Sequence, residues 1–489
     1  MNCTAWVAAP RVARRSITGQ HHGMNRSRSL TFAAVLLGLA ATSLAGQASL
    51  PPATRASIDS AVKAAMARTG APSVSLAVVK DGGIAYANAY GLAKLAPSTP
   101  ATPMMRYSIG SVSKQFAATC ILLLVEQSKL SLDDKIAKWF PNVTRANDIS
   151  VRQLLNMTSG IRDYWPQDYV MTPMLKPITS QQIIDRWATA PLDFEPGAKY
   201  QYSNTNYVIA GRIVELVSGM PFVAFLREHI LTPLAMESAF ITDDGALPPG
   251  DPNRYYRYAL GPRRIAPKEG KGWLFAAGEL AMSASDLARW DIAMIDQKIL
   301  KPASYRAQQR ATILTDGRAS EYALGVSVGT FTGHREVSHG GAVSGFTSQN
   351  SVFPDDRVAI VVLTNFDGGD PGSIEQAIAR ILFTGPNDPP TERAIAQVKA
   401  IMSELQQGKI DRALLTENAS DYFSAEALAD FASSLGPLGA CSEINQIATG
   451  LRGGMSFRAF RVTCGKTAVV VVMRAMTNGK LEQFLVYPE

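Results

Sequence analysis

The chain has 489 residues, of which 46% are hydrophobic and 18% are charged, and this length and composition are typical of a globular protein with two or three domains. Its formal net charge of +7 is concentrated at the start, where five arginines precede residue 30 and no acidic residue precedes Asp59. The remainder is close to neutral, so we expect no nucleic acid or other strongly charged macromolecule as a partner.

Residues 24–48 have the features of a secretory signal peptide: a basic start after Met24, a mostly apolar stretch at 31–45, and small residues near its end. The apolar stretch is shorter than the ~20 residues that a membrane-spanning helix needs, and no cysteine lies at the cleavage junction. We therefore expect residues 1–48 to be a leader. The mature protein is predicted to be periplasmic or secreted, with no stable membrane span and no lipid anchor.

The apolar pattern of residues 55–385 predicts strands at both ends and helices between them. A helical pattern comes first, two strand-like runs joined by a hairpin signal follow, and a long apolar helix begins near Ser111. The middle of this region is mostly helical or looped, and strand character then returns before an amphipathic helix. The helical patterns are at 58–67 and 373–383, and the strand-like runs are at 74–79, 84–90, 325–331, 346–353 and 358–365. This order predicts an α+β fold in which one antiparallel sheet, assembled from distant segments, is combined with a helical subdomain.

The proline-rich segment 386–391 is predicted to be a linker, and a smaller α+β domain is predicted at 392–489. Helical patterns at 392–407 and 425–434 precede strand-like runs between 455 and 487. Helices followed by a meander are loosely similar to the cone-shaped NTF2-like folds. An oxidising compartment would permit a disulfide between Cys441 and Cys464, but their spacing alone leaves that bond open.

Three short strings carry the chemistry, and the first is Ser-Val-Ser-Lys at 111–114. A serine hydroxyl needs a neighbouring base to act as a nucleophile, and residues three apart on a helix share a face. Gly110 lets the chain enter the helix tightly, so that the helix dipole would stabilise an oxyanion at Ser111. Burial beside apolar residues would lower the pKa of Lys114 towards that of a useful base. A second Ser-x-x-Lys, at Ser60 and Lys63, is assigned to a helix surface.

The second string, Tyr-Ser-Asn at 202–204, lies in a loop just before a helix. A tyrosine beside a lysine cation releases its proton more easily than in water, which makes Tyr202 a candidate proton carrier. The third string, His-Gly-Gly-Ala at 339–342, lies just before a predicted strand. Its two glycines leave room for a substrate along the strand edge and permit unusual dihedral angles.

In their order, wide spacing and flanking residues, the three strings resemble the active site of serine hydrolases related to penicillin-binding proteins and class C β-lactamases, in the esterase and D-aminopeptidase branch. The segments 154–160 and 276–280 match further signatures of that family, and the similarity covers residues 70–385. The resemblance implies a β-lactamase/transpeptidase-like fold, with an antiparallel sheet flanked by helices plus a helical subdomain. It also implies two sets of site residues: Ser111, Lys114 and Tyr202 for catalysis, and Asn204, His339, Gly340, Gly341 and Ala342 for substrate binding.

By this resemblance Ser111 is the nucleophile, Lys114 and Tyr202 manage protons, and the backbone amides of Ser111 and Ala342 form the oxyanion hole. Asn204 would hydrogen-bond the lysine and a substrate carbonyl. Which of Lys114 and Tyr202 is the acylation base stays open. His339 stands where β-lactamases and penicillin-binding proteins usually have Lys-Thr-Gly. Because a titratable imidazole replaces a fixed positive charge, we expect a weaker hold on a substrate carboxylate.

Together these features predict an exported serine hydrolase that forms an acyl-enzyme with small esters or D-amino-acid amides and peptides. No cofactor or metal is predicted, because the chain has neither His-Glu-x-x-His nor paired Cys-x-x-Cys. A Gly-x-Ser-x-Gly elbow is also missing, since Ser344 lies one place late in 341–345. Two alternatives stay open: a penicillin-recognising binding or sensor protein that acylates with little turnover, and a β-lactamase. The physiological substrate and the oligomeric state are not predicted.

Overall fold

The computed structural model describes residues 49–167, 169–384, 389–452, 455–476 and 478–489, so the predicted leader at 1–48 lies outside the described residues. The α-helices, in chain order, are α1 (Pro52–Thr69), α2 (Ser113–Glu126), α3 (Val151–Leu155), α4 (Ser180–Ile183), α5 (Asn204–Ser218), α6 (Phe222–Leu226), α7 (Phe275–Gly278), α8 (Ala284–Ile295), α9 (Pro302–Gln308), α10 (Pro371–Thr384), α11 (Pro389–Leu405), α12 (Glu417–Tyr422) and α13 (Ala425–Leu435). The strands are β1 (Ser73–Lys80), β2 (Gly83–Leu95), β3 (Ser98–Pro100), β4 (Tyr107–Ser108), β5 (Phe240–Ile241), β6 (Tyr255–Tyr256), β7 (Arg264–Ile265), β8 (Leu280–Met282), β9 (Thr312–Ile313), β10 (Ala319–Ser320), β11 (Ser327–Phe331), β12 (His334–Val343), β13 (Phe346–Phe353), β14 (Val358–Thr364), β15 (Cys441–Arg452), β16 (Met455–Cys464), β17 (Thr467–Ala475) and β18 (Leu481–Pro488).

The main sheet has the strand order β11-β12-β13-β14-β1-β2-β3, and its neighbouring strands are antiparallel. Because β1 lies between β14 and β2, segments from the two ends of residues 55–385 meet in this sheet, which confirms the prediction of a sheet assembled from distant segments. Successive residues of β1 point to opposite faces. Leu76 and Val78 join the hydrophobic core that contains Ile58 of α1, whereas Ala77 and Val79 join the core of the helical part.

Helix α2 is the central helix of the helical part. Its residues from Ser113 to Leu122 are all buried, and it packs against α5 and α7. A helix that is apolar nearly all round is stable only when other elements enclose it. This enclosure removes the side chains of its first turn from water, and Lys114, the last residue of the Ser-x-x-Lys string, lies there.

Two of the predicted boundaries are wrong. Residues 339–342 lie inside β12 and not just before a strand. Glycine has a low strand preference, and the extended conformation is held here by pairing with β13 from Val337 to Val343. The predicted linker 386–391 is also too long, because α11 already begins at Pro389. Proline is favoured in the first turn of a helix, so its presence does not mark a linker at this point.

A separate antiparallel sheet, in the order β15-β16-β17-β18, forms a small extra domain with the helices near the C-terminus. Its own hydrophobic cluster includes Val398 of α11 and Phe460 and Val471 of the sheet. Cys441 and Cys464 are opposite each other on β15 and β16 and form a disulfide. The bond that the sequence left open is therefore present, while the similarity to NTF2-like folds stays a prediction.

Within the described ranges, no single helix combines the length and apolar composition of a membrane span, although the bent pair Asn204–Ser218 and Phe222–Leu231 meets that test by length and composition.

Candidate active site

The candidate nucleophile lies where the chain enters α2, against the backbone of β12. Gly110 has a φ of +51°, in the left-handed region that glycine adopts readily, and the turn leads through a 3-10 segment, Gly110–Val112, into α2. A Cβ atom on residue 110 would lie 3.0 Å from the backbone nitrogen of Ala342. The predicted tight entry at Gly110 is therefore confirmed, and it brings Ser111 close to the backbone of Ala342.

Lys114 is fully buried, and its Nζ donates three hydrogen bonds. They reach Ser111 Oγ at 2.9 Å, Asn204 Oδ1 at 2.8 Å and the carbonyl oxygen of Ala277 at 2.8 Å. Burial lowers the pKa of Lys114 to about 7, and the nearby Asp163 carboxylate opposes this shift less strongly. Charged and neutral forms are both populated near neutral pH, as a general base requires. The neutral amine can accept the proton of Ser111 along the existing contact.

Tyr202 has a buried hydroxyl without a hydrogen-bond partner among the described residues. Its ring centroid lies 4.9 Å from Lys114 Nζ. Burial raises the pKa of Tyr202 above the usual value, and the nearby Ser111 side chain offsets this only in part. The expectation of a lowered pKa is therefore wrong, because burial removes the water that would stabilise a phenolate. Tyr202 keeps its proton at neutral pH, and its hydroxyl is available to donate it.

Asn204 connects Lys114 to a carboxylate that the sequence analysis missed. The Asn204 side-chain oxygen accepts from Lys114, while Nδ2 donates to Asp163 Oδ2 at 3.2 Å. Asp163 Oδ1 also accepts from the backbone N–H groups of Asn204 at 2.9 Å and of Trp165 at 3.1 Å. The one sequence signal for Asp163 is its position just after the signature at 154–160.

The end of β12 presents a free edge to the cleft. β11 pairs with β12 only as far as Ser338, whereas β13 pairs with it as far as Val343. From His339 onward, β12 therefore has a strand neighbour on one side only. An extended ligand can add to such an edge through main-chain hydrogen bonds.

The two glycines of this edge have different structural roles. Neither Gly340 nor Gly341 has a positive φ, so the prediction of unusual dihedral angles is wrong: both are ordinary strand residues. A Cβ on Gly341 would lie 2.0 Å from the carbonyl oxygen of Ile109, whereas the nearest atom to one on Gly340 would be the end of the Gln349 side chain, at 3.2 Å. Glycine at 341 therefore permits the close approach of β12 to the nucleophile turn.

His339 is 6% exposed and both of its ring nitrogens have partners. Nε2 lies 2.8 Å from the hydroxyl of Tyr322, and Nδ1 lies 2.5 Å from the carbonyl oxygen of Gly340. Because a carbonyl oxygen only accepts, we assign the proton to Nδ1, and Nε2 accepts from Tyr322. Burial, with a smaller contribution from Lys114, lowers the pKa of His339 to about 3. The imidazole is neutral at physiological pH, and Tyr322, which belongs to none of the sequence motifs, holds it in one tautomer.

The predicted site residues come together around one open cleft of about 1490 Å³. The predicted residues that line it are Ser111, Tyr202, Asn204, His339, Gly340, Gly341 and Ala342, and Lys114 contacts Ser111 from the buried side. The cleft also reaches aromatic and charged side chains, including Trp165, Tyr169, Arg257 and Asp367. Its size suits a small molecule or a short extended peptide.

Two other serines that were considered as nucleophiles, Ser60 and Ser344, lie on a helix surface and in a turn. Ser60 and Lys63 are exposed on α1, which confirms their assignment to a helix surface. Ser344 occupies the two-residue turn between β12 and β13, and its hydroxyl donates to Glu269.

An antiparallel sheet and a helical part that meet at a Ser-x-x-Lys string, with its serine in the cleft and its lysine buried, define a protein of the β-lactamase/transpeptidase type. Residues 58–383 match the Beta-lactamase family, and the chain belongs to that family. This confirms the fold and the resemblance that the three strings predicted.

Three known proteins show how far the similarity extends. D-aminopeptidase of Brucella anthropi is 31% identical over 308 residues, which are 61% of this chain and 57% of that protein, so the match spans little more than half of that relative. Penicillin-binding protein 4* of Bacillus subtilis is 27% identical over 369 residues, which are 71% of this chain and 80% of that protein. The structure of a D-stereospecific amidohydrolase from Streptomyces sp. matches with a TM-score of 0.59 and 26% identity, over 68% of this chain and 98% of that one.

Proposed function

We propose that the protein is an exported serine hydrolase that acts through an acyl-enzyme on amides, peptides or esters of D-amino acids. The observation that carries the proposal is the buried Lys114, whose Nζ lies 2.9 Å from Ser111 Oγ. Export is supported by the signal-like segment at 24–48 and by the Cys441–Cys464 disulfide, since such bonds persist in oxidising compartments. N-terminal sequencing of the protein recovered from periplasm or medium tests export. An intact leader on cytosolic protein would rule it out.

In the proposed reaction, neutral Lys114 takes the proton of Ser111 as Oγ bonds to the substrate carbonyl carbon. The negative charge moves to the carbonyl oxygen, between the backbone amides of Ser111 and Ala342. When the tetrahedral intermediate collapses, the bond to the leaving group breaks and the leaving group takes a proton from Tyr202, which Lys114 replenishes. Water then attacks the acyl-enzyme by the same route and releases the acid and Ser111. Lys114 is the acylation base in this scheme because its pKa is lowered, whereas that of Tyr202 is raised.

Among the proposed substrates, the neutral His339 favours amides and simple esters over peptides whose leaving group carries a free C-terminal carboxylate. At this place β-lactamases and penicillin-binding proteins usually have the lysine of Lys-Thr-Gly, which supplies a fixed positive charge. Here Tyr322 and Gly340 occupy both ring nitrogens, and the low pKa keeps the ring uncharged. Amides and simple esters release neutral ammonia, amines or alcohols, so they do not need that charge. The D-aminopeptidase and the D-stereospecific amidohydrolase among the relatives support the D-amino-acid class.

A second candidate, a penicillin-recognising protein that acylates with little turnover, is favoured by one observation. Penicillin-binding protein 4* matches over 71% of this chain, a larger share than the D-aminopeptidase does. The two candidates share the nucleophile and differ in the rate at which water releases the acyl group.

The test measures intact-protein mass and product release after exposure to p-nitrophenyl acetate, a fluorophosphonate and a penicillin. Wild type and Ser111→Ala are compared, and the amides of D- and L-phenylalanine serve as turnover substrates. We expect adducts in the wild type only, steady ester turnover and faster release from the D-amide. A lasting penicillin adduct without turnover would favour the second candidate. If folded wild type gives no adduct with any probe, Ser111 is not the nucleophile.

A further inference from the structure

We propose that Asp163 is a positioning residue of this site: it fixes the orientation of the Asn204 side-chain amide so that the amide oxygen faces Lys114. The inference rests on the proposed function, in which Lys114 is the base. It concerns a residue that belongs to none of the three strings.

The hydrogen bonds around Asn204 leave its amide one orientation. Nδ2 donates to Asp163 Oδ2 at 3.2 Å, and Oδ1 on the opposite side accepts from Lys114 Nζ at 2.8 Å. A carboxylate only accepts, and an ammonium group only donates. Rotating the amide by 180° would therefore place oxygen against oxygen at Asp163 and N–H against N–H at Lys114. The carboxylate selects the orientation in which Asn204 holds the lysine.

The Asp163 carboxylate is itself held in place by the backbone. Its Oδ1 accepts from the N–H of Asn204 at 2.9 Å and of Trp165 at 3.1 Å. Asn204 is the first residue of α5, so this bond also satisfies an N–H group that has no partner within the helix. Asp163 therefore fixes both the start of α5 and the side chain that projects from it towards Lys114.

Among the titratable groups around Asp163, Lys114 is the one whose ionisation near neutral pH responds to the charge of Asp163. Asp163 interacts electrostatically with Lys114, Tyr164 and Tyr202, and Lys114 in turn interacts with His339. Burial raises the pKa of both tyrosines, and His339 stays neutral. Burial also raises the pKa of Asp163, against the stabilising effect of its hydrogen bonds. The negative charge of Asp163 opposes the fall of the Lys114 pKa, so removing it lowers that pKa further.

The experiment compares wild type with Asp163→Asn, which keeps the size of the side chain and removes its charge. The measured quantity is the second-order rate constant for labelling by a fluorophosphonate between pH 5 and pH 9. We expect the plateau rate to fall on the order of tenfold, because Lys114 is held less well. The acid limb of this pH–rate profile is the range in which the rate falls as Lys114 becomes protonated. We expect it to move to lower pH by roughly one unit. Asp193→Asn is the matched control, since Asp193 contacts Arg162 and Gln201 but neither Asn204 nor Lys114, and its acid limb should not move.

An exchanged pair, Asp163→Asn with Asn204→Asp, separates positioning from a general role in folding. It keeps a carboxylate and an amide in contact but moves the charge next to Lys114. We expect this double variant to fold and its acid limb to move to higher pH than in wild type, opposite to the single variant. A limb that stays in place in both variants would overturn the proposal, even if both lose thermal stability. If Asp163→Asn does not fold, the direction of the shift in the exchanged pair decides.

A second readout keeps this inference separate from the proposed function. In protein labelled with ¹⁵N-lysine, the Lys114 resonance, assigned with Lys114→Met, gives the pKa of Lys114 without any reaction. If wild type is not labelled by the fluorophosphonate, the nucleophile assignment fails, yet a lower Lys114 pKa in Asp163→Asn still supports the role of Asp163. An unchanged Lys114 pKa overturns that role whether or not the protein is a hydrolase.

Discussion

Replacing Gly341 by alanine is expected to disable the site through the backbone. The new Cβ would lie 2.0 Å from the carbonyl oxygen of Ile109 and 2.5 Å from Ser348 Oγ. The serine side chain can rotate, but the carbonyl of Ile109 belongs to the main chain that leads through Gly110 to Ser111. Since interiors are close-packed, the nucleophile turn and β12 must move apart by about 1 Å to restore a normal contact.

That movement separates the two proposed oxyanion donors, because Ser111 follows Ile109 by two residues and Ala342 directly follows Gly341. Loss of one such donor costs about 100-fold to 1,000-fold in kcat, or ~3–4 kcal/mol. A displacement of about 1 Å in a catalytic group has an effect of the same order. We therefore expect Gly341→Ala to lose at least about 100-fold in the acylation rate.

The neighbouring Gly340→Ala is a matched control. Its Cβ would lie 3.2 Å from Gln349 Oε1, on a side chain that can move away, and 3.8 Å from the carbonyl oxygen of Ser348, which is an ordinary contact. Because no main chain has to move, we expect a much smaller loss than for Gly341→Ala. The assay is kcat/KM for p-nitrophenyl acetate, with thermal unfolding curves to show that both variants are folded. If folded Gly341→Ala is as active as Gly340→Ala, the close approach of β12 to the nucleophile turn does not form the oxyanion hole.

Three further predictions concern ionisation and stability. As the proposed base, Lys114 must be neutral to accept a proton, and its pKa is about 7. The value of kcat/KM for a neutral ester should therefore fall about tenfold per pH unit below that pKa. A rate independent of pH from 5 to 8 would exclude Lys114 as the base. Cys464→Ala opens a disulfide between residues separated by 23 positions and should reduce the free energy of unfolding of the C-terminal domain by about 3 kcal/mol, as measured by urea denaturation with wild type as reference. Burial and the neighbouring Glu336 raise the pKa of Glu375 from 4.5 to about 8. The protonated side chain therefore stabilises the folded state below pH 4.5, and this contribution is lost as the pH rises to about 8. The melting temperature should decline over this range, and Glu375→Gln should flatten the decline.

The elements that the sequence predicted well are those whose apolar pattern matches a fully buried environment. β14 is buried along its whole length, and α2 is enclosed nearly all round, so composition alone reveals both. β12 is different, because polar residues and glycines dominate it. Its conformation is imposed by pairing with β13 and by the approach of Gly341 to Ile109, which are contacts that no local pattern contains.

The candidate site also contains residues that a local pattern reveals and residues that only long-range contacts reveal. Ser111 and Lys114 are recognisable because their contact is local, three residues apart where the 3-10 segment leads into α2. Asp163 reaches Asn204 across 41 positions of the chain, and Tyr322 reaches His339 across 17 positions. Each is a single polar residue without a motif of its own, so its partner becomes visible only in the folded chain. Long-range hydrogen bonds of this kind set the orientation and charge of the groups that the motifs identify.

The proposed assignment of Lys114 as base and Tyr202 as acid rests on how deeply both side chains are buried. In water the side chains of lysine and tyrosine have nearly the same pKa, about 10.4 and about 10, so residue type does not decide which one takes the proton of Ser111. Burial acts on them in opposite directions, because deprotonation removes a charge from lysine and creates one on tyrosine. It lowers the pKa of Lys114 to about 7 and raises that of Tyr202. In the proposed mechanism, two groups that are nearly equivalent in solution thus take the roles of base and acid, and water entering behind Ser111 would weaken both roles together.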